Sequence, residues 1–237
     1  MHGGTTAPSG ELQLQVIRAG EAATPAEIIE YPTYTTMNAM RRFWMPQDGL
    51  PEVVNQWRTK NMRNIFRGAW RAAAARKLNI PFHMGTLWLT VITGEGEVIP
   101  YGLASTRMVT TAGATKIVDF LRANDVTTGQ NFKYHAIGTG VTGEAIGDTA
   151  LVTELTTQYN PDSTRATGSQ TNNGATVYRT VGTNTVDASA SVAEHGIMSQ
   201  AATGGGSLLD RSQFTAVALA NGDSLQSTYD FTVTTGG

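Results

Sequence analysis

The histidines are the first residues to weigh for chemistry. The chain has four, His2, His83, His135 and His195. A metal centre needs two or three imidazoles meeting in space beside a carboxylate, and no two of these stand at ligand spacing, so each reads as a packed or surface residue. Glu194-His195 together with Asp210-Arg211 has the composition of an acid/base group. Two charged positions at strand ends read more simply as an ion pair at the rim of a sheet. Gly138-Thr-Gly140-Val-Thr-Gly143 matches a dinucleotide-binding glycine pattern, which works only where a helix N-terminus inside a βαβ unit meets the pyrophosphate. Here Glu-Ala-Ile-Gly-Asp-Thr and more strand-like sequence follow, so the glycines read as a sharp turn leaving a strand. With no cysteine in the chain, thiol catalysis, disulfides and thiolate metal sites are excluded. The expectation is a non-enzymatic protein with no catalytic, cofactor-binding or metal-binding residues.

One group of side chains does point to a partner. At about 100° per residue, Lys60, Arg63, Arg67 and Arg71 form a stripe along a helix, and Met62, Ile65, Phe66, Ala69 and Ala73 share the opposite side. Four cations on one face suit nucleic-acid phosphates or an acidic protein surface, and a solvated helix face is the plainer alternative. A membrane reading is weaker, because Ala72 to Ala75 offer little apolar depth. Upstream, Arg41-Arg-Phe-Trp-Met45 sets Phe43 and Trp44 beside two charges, which a solvated linker would not carry. Phe43, Trp44 and Trp57 are expected as interface anchors buried against another chain.

The elements that hold these residues fall into three parts. Residues 1–47 read as an extended N-terminal arm: Leu12, Leu14 and Val16 alternate as in one strand, and Pro25, Pro32 and Pro46 discourage regular structure after it. Residues 48–80 hold one long amphipathic helix over 51–77, with Asp48 as cap, Pro51 and Glu52 in its first turn, and Asn79 and Pro81 marking its end. Residues 81–237 read as a β-sandwich domain. It opens with a hairpin of Thr86–Ile92 and Val98–Leu103 around a Gly-Glu-Gly-Glu turn. A short helix near 111–123 is capped by Thr110 or Thr111. Strands then centre on Phe132–Ile137, Val177–Val181, Ala193–Met198, Leu208–Phe214 and Ser227–Val233, with turns at Asn172-Asn-Gly174 and Asn221-Gly-Asp223. The expected class is mainly β, an antiparallel β-sandwich of Ig-like or jelly-roll-like type.

Charge is divided between the parts. The whole chain of 237 residues has a net charge of −2, which names no partner. Residues 1–80 hold ten Lys/Arg against six Asp/Glu, and residues 81–237 hold seven against thirteen, so front and back face different surroundings. The N-terminus lacks a charged segment followed by an apolar run, and no apolar run is long enough to span a bilayer. We expect a soluble product without a signal peptide, made in the cytoplasm or leaving the cell by lysis.

An ordered set of short segments resembles a recurring type of tailed-bacteriophage virion protein. The segments are Val109-Thr-Thr-Ala-Gly-Ala, Lys133-Tyr-His-Ala-Ile-Gly-Thr-Gly140, Asp148-Thr-Ala-Leu-Val-Thr-Glu154, Tyr178-Arg-Thr-Val, Glu194-His-Gly-Ile-Met, Gly206-Ser-Leu-Leu-Asp-Arg211 and Asn221-Gly-Asp-Ser-Leu225. Together they span more than half the chain, and the basic aromatic front lies outside them. The resemblance implies a structural β-sandwich module, present in many copies in the virion and without catalysis. The leading expectation is an accessory head protein (decoration or cement) that grips the major capsid protein or a sister subunit through its arm and helix. The alternatives are a tail, neck or fibre component, and behind these a carbohydrate-binding module. The partners expected on this reading are other virion proteins and further copies of the chain, with neither nucleic acid nor membrane favoured.

Overall fold

The computed structural model describes residues 45–77, 83–121, 131–172 and 176–233. Residues 1–44 of the expected arm, with Phe43 and Trp44, lie outside them. Among the described residues two helices and nine strands follow one another: α1 (Glu52–Lys77), β1 (His83–Ile92), β2 (Val98–Met108), α2 (Thr111–Leu121), β3 (Tyr134–Gly138), β4 (Ala166–Thr167), β5 (Ser169–Asn172), β6 (Val177–Thr185), β7 (Ala190–Met198), β8 (Leu208–Leu219) and β9 (Ser224–Val233). The protein is mainly β, with two antiparallel sheets. One is ordered β2-β1-β9-β6-β5 and the other β4-β3-β7-β8.

Alternation decides what each strand buries. Leu87, Leu89 and Val91 of β1 point one way and enter a single apolar cluster with Ile137 of β3, Val192 of β7, Phe214, Val217 and Leu219 of β8, and Leu225 of β9. Residues from both sheets therefore meet in one core. Turn chemistry follows the sequence closely. Gly96 takes a positive φ of 86° in the β1–β2 turn, closed by Gly96 N–H to Thr93 O at 2.8 Å. Gly222 does the same at 87° before β9. Thr110 caps α2, its Oγ1 accepting from Gly113 N–H at 3.1 Å.

Helix α1 spans 26 residues, and its docking departs from the amphipathic expectation. Its buried side is Val54, Trp57, Arg58, Asn61 and Ile65, whereas Phe66 is 54% exposed. The reason is where the helix lies. Strands β2 and β8 are the edge strands of the two sheets on one side of the molecule, and α1 covers both. Arg58 Nε donates to Tyr101 O at 3.0 Å and Asn61 Nδ2 to Ala104 O at 2.8 Å, both on β2. On β8, Thr215 N–H donates to Asn61 Oδ1 at 2.9 Å, and Trp57 Nε1–H donates to Thr215 O. An edge strand presents unpaired backbone groups that must be satisfied or covered. The inward face of α1 is accordingly a row of donors and acceptors, with Val54 and Trp57 filling the apolar space between them. Its start is tied to the preceding chain by Asn55, whose amide exchanges two 2.9 Å hydrogen bonds with the backbone of Gln47, rather than through Asp48. The opposite edges, β4 and β5, are only two and four residues long, too short to template another strand.

Candidate functional site

Two of the scattered histidines meet. Residues paired across β3 and β7 include His135↔Ile197 and Ile137↔His195, which sets both imidazoles on the inner face. His135 Nδ1 lies 3.0 Å from His195 Nε2, and His135 Nε2 lies 3.1 Å from Thr180 Oγ1 on β6. Both rings are buried. Burial disfavours the imidazolium and pushes His135 down to about 3; His195 is also lowered, by burial and then by His135. Both are therefore neutral at physiological pH, one ring N–H donating to the other's bare nitrogen. The backbone carbonyl of His135 accepts from Asn184 Nδ2 at 3.0 Å. Gly182 packs directly on the ring, and a Cβ there would sit 2.5 Å from His135 Cδ2. Among the described residues no three His, Asp or Glu side chains converge as a metal site. The pair is a bridge between the sheets.

The second cluster organises a loop. Glu194 is fully buried and accepts from three backbone N–H groups: Gly140 at 3.1 Å, Thr153 at 2.7 Å and Val152 at 3.0 Å. Its remaining partner is Arg211 Nε at 2.8 Å. Arg211 continues outward to Asp148 Oδ2 at 2.9 Å and Thr142 O at 2.9 Å, and Ala145 N–H donates to the same Asp148 oxygen. The expected ion pair between the Glu194 and Arg211 segments is present, but in the interior rather than at a rim. The glycine motif finds its reason here. A Cβ at Gly138 would stand 2.7 Å from Glu194 Oε1, and one at Gly140 would overlap the same carboxylate. These glycines leave room for a side-chain anion of the same chain, where the dinucleotide pattern would leave room for a pyrophosphate.

A third pair extends this framework. Arg165 holds Glu154 with two guanidinium nitrogens and donates to Gln200 O and Gly205 O at 3.0 Å each. Tyr159 reaches from the same stretch into the core, accepting from Ile137 N–H at 2.7 Å. Charges buried this way need partners to offset desolvation: Glu194 has four, Arg165 has three, and Glu154 is held by two nitrogens of Arg165. This chemistry fixes the backbone of residues 139–153 across the outer side of the four-stranded sheet, where Leu151 packs on Ala136, Met198 and Leu208, and lets Leu155 and Tyr159 enter the main core.

The expected interface residues divide. Lys60 and Arg63 are exposed on α1, and neither forms an ion pair with another described residue. The helix backbone passes through Arg67 and Arg71, whose side chains are outside those described. Trp57 requires correction. It is 4% exposed, its ring stands edge-on to Tyr101 with centroids 5.1 Å apart, and its N–H is bound to β8. It anchors α1 to its own chain and is not available to another. The outward face of α1 instead adds Val53 and Phe66 to Lys60 and Arg63. Sequence reasoning missed Arg58 and Asn61, whose only sequence signal is their place among the apolar positions of a helix. It also missed the loop framework, whose signal is a lone strand glutamate facing a strand arginine.

No protein-family model, curated protein or solved structure matches this chain. The functional reading therefore rests on the site itself and on the sequence resemblance.

Proposed function

We propose that this protein is a non-enzymatic structural component of a tailed-bacteriophage virion, in the first place a capsid decoration or cement protein. On this reading the two sheets form an Ig-like or jelly-roll-like β-sandwich, and the N-terminal arm and the outer face of α1 grip the shell or a sister copy. The observation that carries the reading is the contrast between the two faces of α1. The inner face is locked to both edge strands by hydrogen bonds, and the outer face presents Lys60, Arg63, Val53 and Phe66 to solvent. A rigid helix bearing exposed aromatic, aliphatic and cationic side chains has the makings of a binding surface. The buried charged groups support a structural role in another way, because their hydrogen bonds serve the chain's own backbone. A tail, neck or fibre position is the alternative with the same chemistry.

The test is stoichiometry and attachment. In purified particles a decoration protein is present in numbers comparable to the major capsid protein, and a tail or neck component in about six or twelve copies. Arg63→Glu with Phe66→Ala should leave the fold unchanged and abolish incorporation. Normal incorporation of that double variant would remove α1 from the attachment site.

A further inference from the structure

We propose that the loop of residues 139–153 is the surface that receives the outer face of α1 from a second copy of this chain, in a head-to-tail contact. This rests on the preceding reading of α1 as an interaction surface and names its partner. Three apolar side chains of the loop stand in solvent: Val141 is 74% exposed, Ile146 68% and Val152 53%. None is there through slack in the chain. Val141 lies between Gly140, whose N–H is held by Glu194, and Thr142, whose carbonyl is held by Arg211. Ile146 follows Ala145, bound to Asp148, and its own carbonyl accepts from Thr111 N–H at 2.8 Å. Val152 N–H is itself bound to Glu194. The backbone bonds that order the loop thus hold the apolar groups outward, where local rearrangement cannot hide them. Preorganised apolar exposure of this kind lowers the ordering cost of docking.

The choice of partner follows from charge. Glu194 and Asp148 share the single guanidinium of Arg211, which leaves the cluster with one negative charge in excess, and no Lys or Arg occurs between 139 and 164. The outer face of α1 has the complementary character, with Lys60 and Arg63 beside Val53 and Phe66. The helix covers the β2 and β8 edges, whereas the loop lies over the outer side of the four-stranded sheet, so the two surfaces occupy different parts of one protomer. Their pairing is heterologous and builds rings or extended arrays rather than closed two-fold dimers.

The test uses the purified full chain, sized by analytical ultracentrifugation over a concentration series at low salt. The unaltered chain should form concentration-dependent oligomers larger than dimers. Ile146→Asp and Arg63→Glu should each weaken association at least tenfold while circular dichroism stays unchanged, and Val141→Asp serves as a second loop variant. Mixing the Ile146→Asp and Arg63→Glu chains should give dimers and nothing larger, since each chain then offers one intact surface. A defect confined to Arg63→Glu overturns the loop assignment and leaves the α1 interface standing. Equal association by all variants, or an unaltered chain that stays monomeric at every concentration, overturns the head-to-tail contact; attachment of α1 to a shell is then judged by the incorporation assay alone.

Discussion

Replacing Glu194 by alanine removes one carboxylate and four hydrogen bonds at once. Three backbone N–H groups lose their acceptor, and Arg211 keeps only Asp148 and the Thr142 carbonyl. Removing one partner of a buried ion pair costs about 3–5 kcal/mol, and each buried N–H left without an acceptor costs about 1–3 kcal/mol. These contributions overlap. Asp148 still compensates Arg211, and the loop can move to let water reach its amides, so we take about 4 kcal/mol as the net loss. For a domain of this size about 1 kcal/mol corresponds to 2–4 °C, which places the drop in melting temperature at about 8–16 °C. Arg211→Met should cost somewhat less, because Glu194 retains its three amides. The double variant should lose less than the sum, with a coupling of at least about 1 kcal/mol in the cycle. Urea denaturation gives the energies, and hydrogen exchange at Gly140, Val152 and Thr153 gives the location. A loss below about 1 kcal/mol for Glu194→Ala, with those three amides still protected, would refute the account of the loop.

Three further outcomes follow from the same framework. The unfolded chain protonates its histidines near 6.5, whereas folded His135 does so only at about 3. The unfolded state therefore binds more protons between these values. Stability is fully present above pH 6.5 and falls as the pH drops toward 3, by up to about 1.4 kcal/mol per unit for each such histidine. Denaturation at pH 7.5, 6 and 5 should show this slope, and His135→Gln should flatten it; a flat profile for the unaltered chain contradicts the buried neutral pair. Gly182→Ala drives a methyl against the His135 ring and should destabilise by about 1–3 kcal/mol, which a thermal melt will detect. Asn61→Leu removes the bonds of Asn61 to both edge strands and leaves those of Arg58 to β2 and Trp57 to β8. We expect a loss of about 2–3 kcal/mol and faster proteolysis within 52–66, and unchanged protection there would mean that Asn61 does not fasten the helix.

Much of the fold was legible in the residues. Thr86-Leu-Trp-Leu-Thr-Val-Ile92 is a run of β-branched, aromatic and aliphatic residues, which declares a strand, and residues on both of its faces are buried. Gly222 between Asn221 and Asp223 declares the turn before β9, and Thr110 declares the start of α2. These signals are local, since a turn, a cap or a strand-forming run needs only neighbours a few residues away. Strand ends were less legible. β8 continues beyond Phe214 through Thr-Ala-Val-Ala-Leu219, because its pairing with Ala190, Ser191 and Val192 of β7 carries the ladder to that point.

The partnerships that matter most were settled only by tertiary structure. His135 and His195 are 60 positions apart, and Glu194 meets Gly140 across 54. No periodicity encodes a hydrogen bond at such separations; it arises when strand register sets two side chains on one face at one level. The orientation of α1 illustrates the same limit. Apolar periodicity finds the buried face of a helix when burial is apolar, and it favoured the side that includes Phe66. The real inner face is marked by Arg58 and Asn61 because α1 docks on two strand edges, where exposed backbone groups call for donors and acceptors rather than methyl groups. Local sequence determined the strands, the turns and the existence of the helix. Which polar groups would be buried, and against what, was decided only when the sheets brought their edges and inner faces together.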